Sequence, residues 1–385
     1  MKKYLFSAIL LLSSAISQAQ QPTVKNITCK SQEQTVVSQE DMQRIYDEAR
    51  TPYKYGLVIA PADNHHKMDC PTVFRYKGSW YMTYVCYNGS SGTDGRGYET
   101  WIAKSNDLLH WETLGRVLAF ADSGWDCNQR GGFPALIDYD WGGDYKINRF
   151  NGSYWMTYIG GEGTGYENTT APLSIGIAST KNEVDKAHLW QTYPKPILSY
   201  NEKNAQWWEQ LTQYKSTVYK VDKKRFGYRF MMYYNAAGKD STHPKGERVG
   251  VAFSNDMKVW KRYSKNPIFE HNTYRTITGD AQIVKFDDLY VMFYFSAFNP
   301  TRKYKAYNTF AASRDMIHWT DWQGKDLVVP SEPYDEKYAH KSYVIKHDGV
   351  VYHFYCAVNN AGQRGIAVAT SVPKGKSEVH FPNQD

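Results

Sequence analysis

No nucleophile elbow, phosphate loop, HExxH helix or glycine-rich dinucleotide turn occurs in the sequence, which argues against the common serine hydrolases, P-loop nucleotide enzymes, zinc proteases and Rossmann oxidoreductases. Cysteine is scarce and odd in number: Cys29, Cys70, Cys86, Cys127 and Cys356 allow at most two disulfides, and their spacing gives no zinc site. Cys70 and Cys127 each follow an aspartate near a strand entrance and could be neighbours, whereas Cys86 and Cys356 fall in matching strands and read as buried small hydrophobes. A surplus of one charge is missing too. The formal charge is +7, or +5 without Lys2 and Lys3, on a nearly balanced chain, which does not call for nucleic acid. After the first residues there is no apolar run long enough to span a bilayer, so no membrane insertion is expected.

The beginning of the chain does carry an address. Lys2 and Lys3, a short apolar run over 4–12 and the small-residue stretch Ser17-Gln18-Ala19 read as a secretory leader, 1–19, implying a secreted or periplasmic protein. An N-terminal segment, 20–54, follows. Within it residues 38–50 read as a helix, with Ser38 as cap, Asp41 completing a capping box, and Met42, Ile45, Tyr46 and Ala49 on one face. That face is expected to cover the side of the main domain or to mediate oligomerisation.

What the chain has in quantity is aromatic residues, with 32 Tyr, 12 Trp and 16 Phe, and they recur in a pattern. The stretch DCPTVFRYKGSWYMTY (69–84) aligns without a gap on HKSYVIKHDGVVYHFY (340–355), and weaker copies lie at 134–158, 215–234 and 280–294. A second motif follows: SNDLLHW (105–111), SNDMKVW (254–260), SRDMIHW (313–319), and a diverged version at 179–190. An apolar strand, a tight turn, an aromatic strand and a third strand, repeated at this period, are the signature of a β-propeller, here all-β with five blades over 55–371. The fifth copy lacks its outermost strand, and 55–60 is the segment expected to supply it, since an open edge would leave strand groups unpaired. A tail, 372–385, completes the chain.

Short turns, Lys77-Gly78 among them, fall at one end of the blades, while long aromatic and charged loops gather at the other, the end where function is expected. The first residues of the inner strands ring the axis there. Lining up the copies gathers Asp69, Asp280, His340, Lys215 and Lys341 in an axial pocket, and buried charges of this kind are expensive unless paired or used. Arg130, Asp126, Trp208 and Glu162, on the loops of the same end, are further candidates for substrate contact, and Glu209 follows Trp207-Trp208. Aromatic loops beside carboxylates suit a carbohydrate.

On the blade count, the S-x-D-x-x-x-W strands and the Asp69-Cys70-Pro71 opening, the chain resembles the five-bladed propeller glycoside hydrolases of families 43, 32 and 117 over residues 56–371. The resemblance implies that Asp69 matches the general base. For the general acid it leaves Asp280, an aspartate where family 43 has a glutamate, or Glu209, near the place where the expected third-blade aspartate is replaced by Tyr214-Lys215-Ser216. Placement across an axis implies inversion, with room for a water between the carboxyls. Cations around the carboxylates could also receive an acidic sugar. Some relatives carry an axial calcium, but no acidic loop here demands one, so no cofactor is required. Two alternatives stay open: a non-catalytic sugar-binding propeller, and a polysaccharide lyase using His340, Tyr214, Lys215 and Lys341.

Overall fold

The computed structural model describes residues 35–89, 95–166, 172–239 and 246–383. The expected leader and Cys29 lie outside these residues. Strands dominate, arranged as four-stranded antiparallel units that follow one another along the chain. Units 1 to 5 begin with the inner strands Lys67–Tyr76, Gln129–Pro134, Thr212–Lys220, Ile277–Phe286 and Tyr338–His347. The strand Tyr53–Ile59, from before unit 1, pairs antiparallel with Arg364–Thr370 and completes unit 5. Units 3 and 4 are also joined by a single parallel bridge between Glu247 and Ile277.

The two repeated motifs are turn chemistry. In the first hairpins Lys77-Gly78, Asn151-Gly152 and Asp348-Gly349 each hold two successive residues at positive φ, the mirror-image turn whose twist matches that of the strands. In the second motif, the Ser105 hydroxyl accepts from the N–H groups of Asp107 and Leu108, while the Asp107 carboxylate accepts from Leu109 and His110. The Trp111 indole then donates to the Leu108 carbonyl. Ser254, Asp256 and Trp260 repeat the arrangement. The motif therefore closes a compact polar turn and pins it with the indole.

A third repeat is structural as well, and it becomes visible only in three dimensions. Tyr158, Tyr234, Tyr294 and Tyr355 occupy equivalent second-strand positions and are buried. Each hydroxyl donates to a carboxylate that also meets a basic side chain: Asp126 with Arg130, Glu209 with Arg262, Asp321 with His271, and Asp335 with Lys54. Asp126, Glu209 and Asp335 each stand three residues before an inner strand, so these triads anchor the incoming connection to its own unit.

The N-terminal helix spans Gln39–Ala49, capped by the Ser38 hydroxyl, which accepts from the Asp41 N–H at 3.1 Å. Met42, Ile45 and Ala49 are buried in a cluster with Val291, Phe293 and Phe310, and Tyr46 stacks on Trp322. Its apolar face is thus occupied within the same polypeptide. The cysteines correct one expectation: Cys70, Cys86, Cys127 and Cys356 are all free thiols, so Cys70 and Cys127 are not joined. Cys70 faces the central cavity, whereas Cys127 follows Asp126 in an outer connection.

Candidate functional site

The inner strands are irregular where they reach the centre. Pairing with the second strand shifts register between Asp69 and Thr72, Gln213 and Ser216, Gly279 and Gln282, and His340 and Tyr343. At three of these bulges a non-glycine residue has left-handed φ: Cys70 (+50°), Asp280 (+56°) and Lys341 (+57°). A bulge adds one residue and re-aims the side chains around it. Regular alternation would aim only one of His340 and Lys341 inward, yet both line the cavity, as do both Asp69 and Cys70. Such strain concentrates where geometry is used.

The resulting cavity has a volume of about 180 Å³ and gathers Asp69, Asp280, His340, Lys341 and Lys215, the axial residues singled out in the sequence. Asp69 is buried and saturated. Its Oδ2 accepts from Lys341 Nζ at 2.7 Å, Arg364 Nη1 at 3.1 Å and the Tyr166 hydroxyl at 3.3 Å, while Oδ1 accepts from the Cys70 N–H. Burial opposes its ionisation, but Lys341 and Arg364 outweigh it and hold the carboxyl well below the usual range.

Asp280 behaves in the opposite way. Burial raises its pKa, with Asp69 adding to the rise and Lys215 and Lys341 only partly offsetting it. Lys215 Nζ lies 3.8 Å from its Oδ2, an oxygen that has no hydrogen-bond partner. His340 is kept neutral, its pKa pushed down to about 4 chiefly by burial, and Nδ1 faces the Cys356 carbonyl at 3.2 Å.

Glu247 is a cavity carboxylate that the sequence reading missed. It opens the third strand of unit 3, not an inner strand, so aligning strand starts could not find it. Its Oε2 accepts from Asn235 Nδ2 at 2.6 Å, and Asn235 Oδ1 accepts from the Asp280 N–H at 3.3 Å. One amide thus ties Glu247 to the Asp280 backbone. Arg364 and Tyr166, the latter 4.7 Å beneath the Arg364 guanidinium, were missed for the same reason.

Four sequence candidates sit elsewhere. Glu209 and Asp126 belong to the tyrosine triads, and Glu209 is fully buried between Arg262, Gln213 and Tyr234. Arg130 is the cation of the Asp126 triad. Trp208 is fully buried against Gly250, where an added Cβ would lie 2.3 Å from its ring; Trp207, half exposed under Arg248, is the accessible member of the pair. Glu162 is exposed and does not line the cavity.

A divalent ion fits poorly here. Asp69, His340 and Cys356 bring one ligand atom each within 4.8 Å of one another, but the Asp69 carboxylate is already taken by two cations and Asp280 faces a third. Calcium needs six to eight oxygen ligands, and this set does not form such a cage.

No protein-family model matches the sequence, and no curated protein matches it. Solved structures do. One described as a complex of BT0996 and RGII is 64% identical, covers 91% of this chain and 100% of that one, and superposes with a TM-score of 0.89. A second, described as a glycoside hydrolase, matches with the same identity, coverage and score. A thermostable family-43 glycoside hydrolase is 15% identical over 84% of this chain and 99% of that one, with a TM-score of 0.54, a likeness of fold alone.

Proposed function

The protein belongs to the β-propeller glycoside hydrolases and is itself a glycoside hydrolase, and from that premise we propose that it removes terminal sugars from a complex glycan of the RGII type with inversion at the anomeric carbon. The five four-stranded units are read as five blades around the cavity, and the leader at 1–19 as sending the enzyme out of the cytoplasm. The substrate comes from the relative whose description names RGII. A cavity of about 180 Å³, below the roughly 300–1,000 Å³ of pockets for drug-sized ligands, suits a single terminal unit and therefore exo action.

The observation that carries the mechanism is the contrast between carboxyls in one cavity. Glycoside cleavage needs a protonated group at the leaving oxygen and an ionised one that activates water. Asp280, with its raised pKa and an oxygen without a hydrogen-bond partner, is the acid. It gives its proton to the glycosidic oxygen as the bond to the anomeric carbon breaks, and the carboxylate left behind is met by Lys215. Asp69, the base implied by the family resemblance, is too weak a base with two cations on one oxygen; it serves as a fixed anion that orients Lys341 and Arg364 toward the sugar.

Glu247 then takes the proton from the attacking water. It is partly exposed and held by one amide. The Asn235 side chain that links it to unit 4 also spaces the two carboxyls, which favours the wider separation of roughly 6.5–9.5 Å found in inverting enzymes. Purified protein incubated with RGII and a panel of plant, algal and host glycans should release a monosaccharide, seen by chromatography, whose first-formed anomer by proton NMR is opposite to that in the substrate. Release of internal oligosaccharides, an unsaturated product absorbing in the ultraviolet, or retention of configuration would each overturn part of this reading.

A further inference from the structure

Polar groups do not line this cavity evenly. Apart from Asp280, the residues that unit 4 contributes are Ile277, Phe295, Ala297, Phe298 and Ala306, whose side chains neither donate nor accept hydrogen bonds. Phe295, Ala297 and Ala306 are almost fully buried and form a small apolar cluster of their own, separate from the main cores, with Ile277 and Tyr338 packed against it. This satellite cluster opens on the cavity.

Phe298 marks its edge. Its side chain is 48% exposed although it is a large aromatic, and its φ of +56° lies in the left-handed region that bulky residues seldom occupy. The conformation is held by its N–H donating to the Lys305 carbonyl at 2.8 Å, while the ring meets Tyr338 edge to face. The fold thus maintains a strained, half-solvated ring beside a buried apolar wall, next to the Asp280 oxygen that has no hydrogen-bond partner. A sugar hydroxyl pressed against this wall would lose water and find no partner there; a carbon without a hydroxyl would gain from the same contact.

We propose that this wall receives a methyl group of the substrate, either the terminal carbon of a 6-deoxy sugar or the methyl of an O-methyl ether. The inference rests on the hydrolase reading above and adds a sugar class to it. Saturation-transfer NMR and calorimetric titration, done on Asp280→Asn so that turnover does not interfere, would compare L-rhamnose with L-mannose, L-fucose with L-galactose, and 3-O-methyl-D-glucose with D-glucose.

In at least one pair the methyl-bearing sugar should bind about tenfold or more tightly, the range expected for one added carbon group in an apolar pocket, and its methyl protons should receive the strongest saturation. The first two pairs report the deoxy source and the third the ether. Phe298→Ala, at the exposed rim, and Ala306→Ser, which adds a hydroxyl to the wall, should each reduce the discrimination to less than threefold. The proposal fails if no methyl-bearing sugar binds, if the hydroxylated partners bind as well, or if the preference survives both substitutions. Sugar release from glycans by the unsubstituted enzyme is scored separately: release without a methyl preference removes this inference alone, and no release from any glycan removes the reading beneath it.

Discussion

The Asp69 carboxylate and the Lys341 ammonium, 272 residues apart in sequence, meet at 2.7 Å in the central cavity, where the first unit of the fold abuts the last. Arg364, also from unit 5, binds the same oxygen at 3.1 Å. This cluster therefore joins the seam of the fold to the floor of the site.

Asp69→Asn should accordingly do more than slow the reaction. It leaves two largely buried cations facing a neutral amide, and removing one partner of a buried pair typically destabilises by about 3–5 kcal/mol. Urea unfolding should show that loss, while Asp69→Asn combined with Lys341→Met should recover part of it, with a coupling of about 1 kcal/mol or more between neighbours. Because Asp69 titrates lower in the folded protein than in the unfolded one, its stabilisation is present above the ordinary carboxylate range and disappears as pH falls through its depressed value. An unchanged urea midpoint in Asp69→Asn would mean that the seam does not depend on this cluster.

If Asp280 is the acid, Asp280→Asn should slow hydrolysis of substrates with poor leaving groups by a hundredfold or more, and should scarcely affect aryl glycosides whose leaving group departs without a proton. The pH profile supplies a second measure. Activity of the unsubstituted enzyme should decline as pH rises through the raised pKa of Asp280 and the proton is lost, and that alkaline limb should vanish in the variant. Equal slowing of both substrate types would point to another acid.

Glu247→Gln should depress both substrate types alike, by about a hundredfold, since water activation is needed whatever leaves. Asn235→Ala removes the amide that orients Glu247 without touching either carboxyl. Its expected signature is a lower kcat with little change in KM, partly restored by Asn235→Gln or Asn235→Ser if a hydrogen-bonding group suffices. Wild-type kinetics in Glu247→Gln would return the role of base to Asp69.

The sequence made the scaffold readable because its turns repeat: serine, aspartate and tryptophan at fixed offsets close the same polar turn in units 1 and 3. The axial residues were readable for the same reason, since aligned strand starts put Asp69, Asp280 and His340 at one level. Pairing each strand start with the residue after it depended on the bulges, which alignment does not reveal; only the left-handed backbone of Cys70 and Lys341 explains why neighbours share the cavity. Glu209 and Asp126 misled because a carboxylate near an inner strand serves equally well as a tyrosine anchor, and that partnership spans residues far apart in sequence. Glu247 sits on a third strand, where no repeat drew attention to it.

His353 offers a test of the scaffold away from the chemistry. It lies on the second strand of unit 5, fully buried, and neither ring nitrogen has a hydrogen-bond partner. Burial pushes its pKa down to about 3, far below an ordinary histidine. Between pH 6.5 and that value the unfolded protein binds a proton at this position that the folded protein refuses, so stability should fall as the solution is acidified, by at most roughly 1.4 kcal/mol per pH unit from this group. His340, shifted down to about 4, adds to the same trend over a narrower window. His353→Leu should remove both the unpaired nitrogens and their share of the pH dependence, raising stability by about 1–3 kcal/mol. Thermal melts at pH 4.5 and 7.5 would show it: the gap between the two midpoints should shrink in the variant, chiefly through a gain at the lower pH. A variant that melts lower than the unsubstituted protein at both values, with the gap intact, would mean that the imidazole has partners the packing of unit 5 depends on.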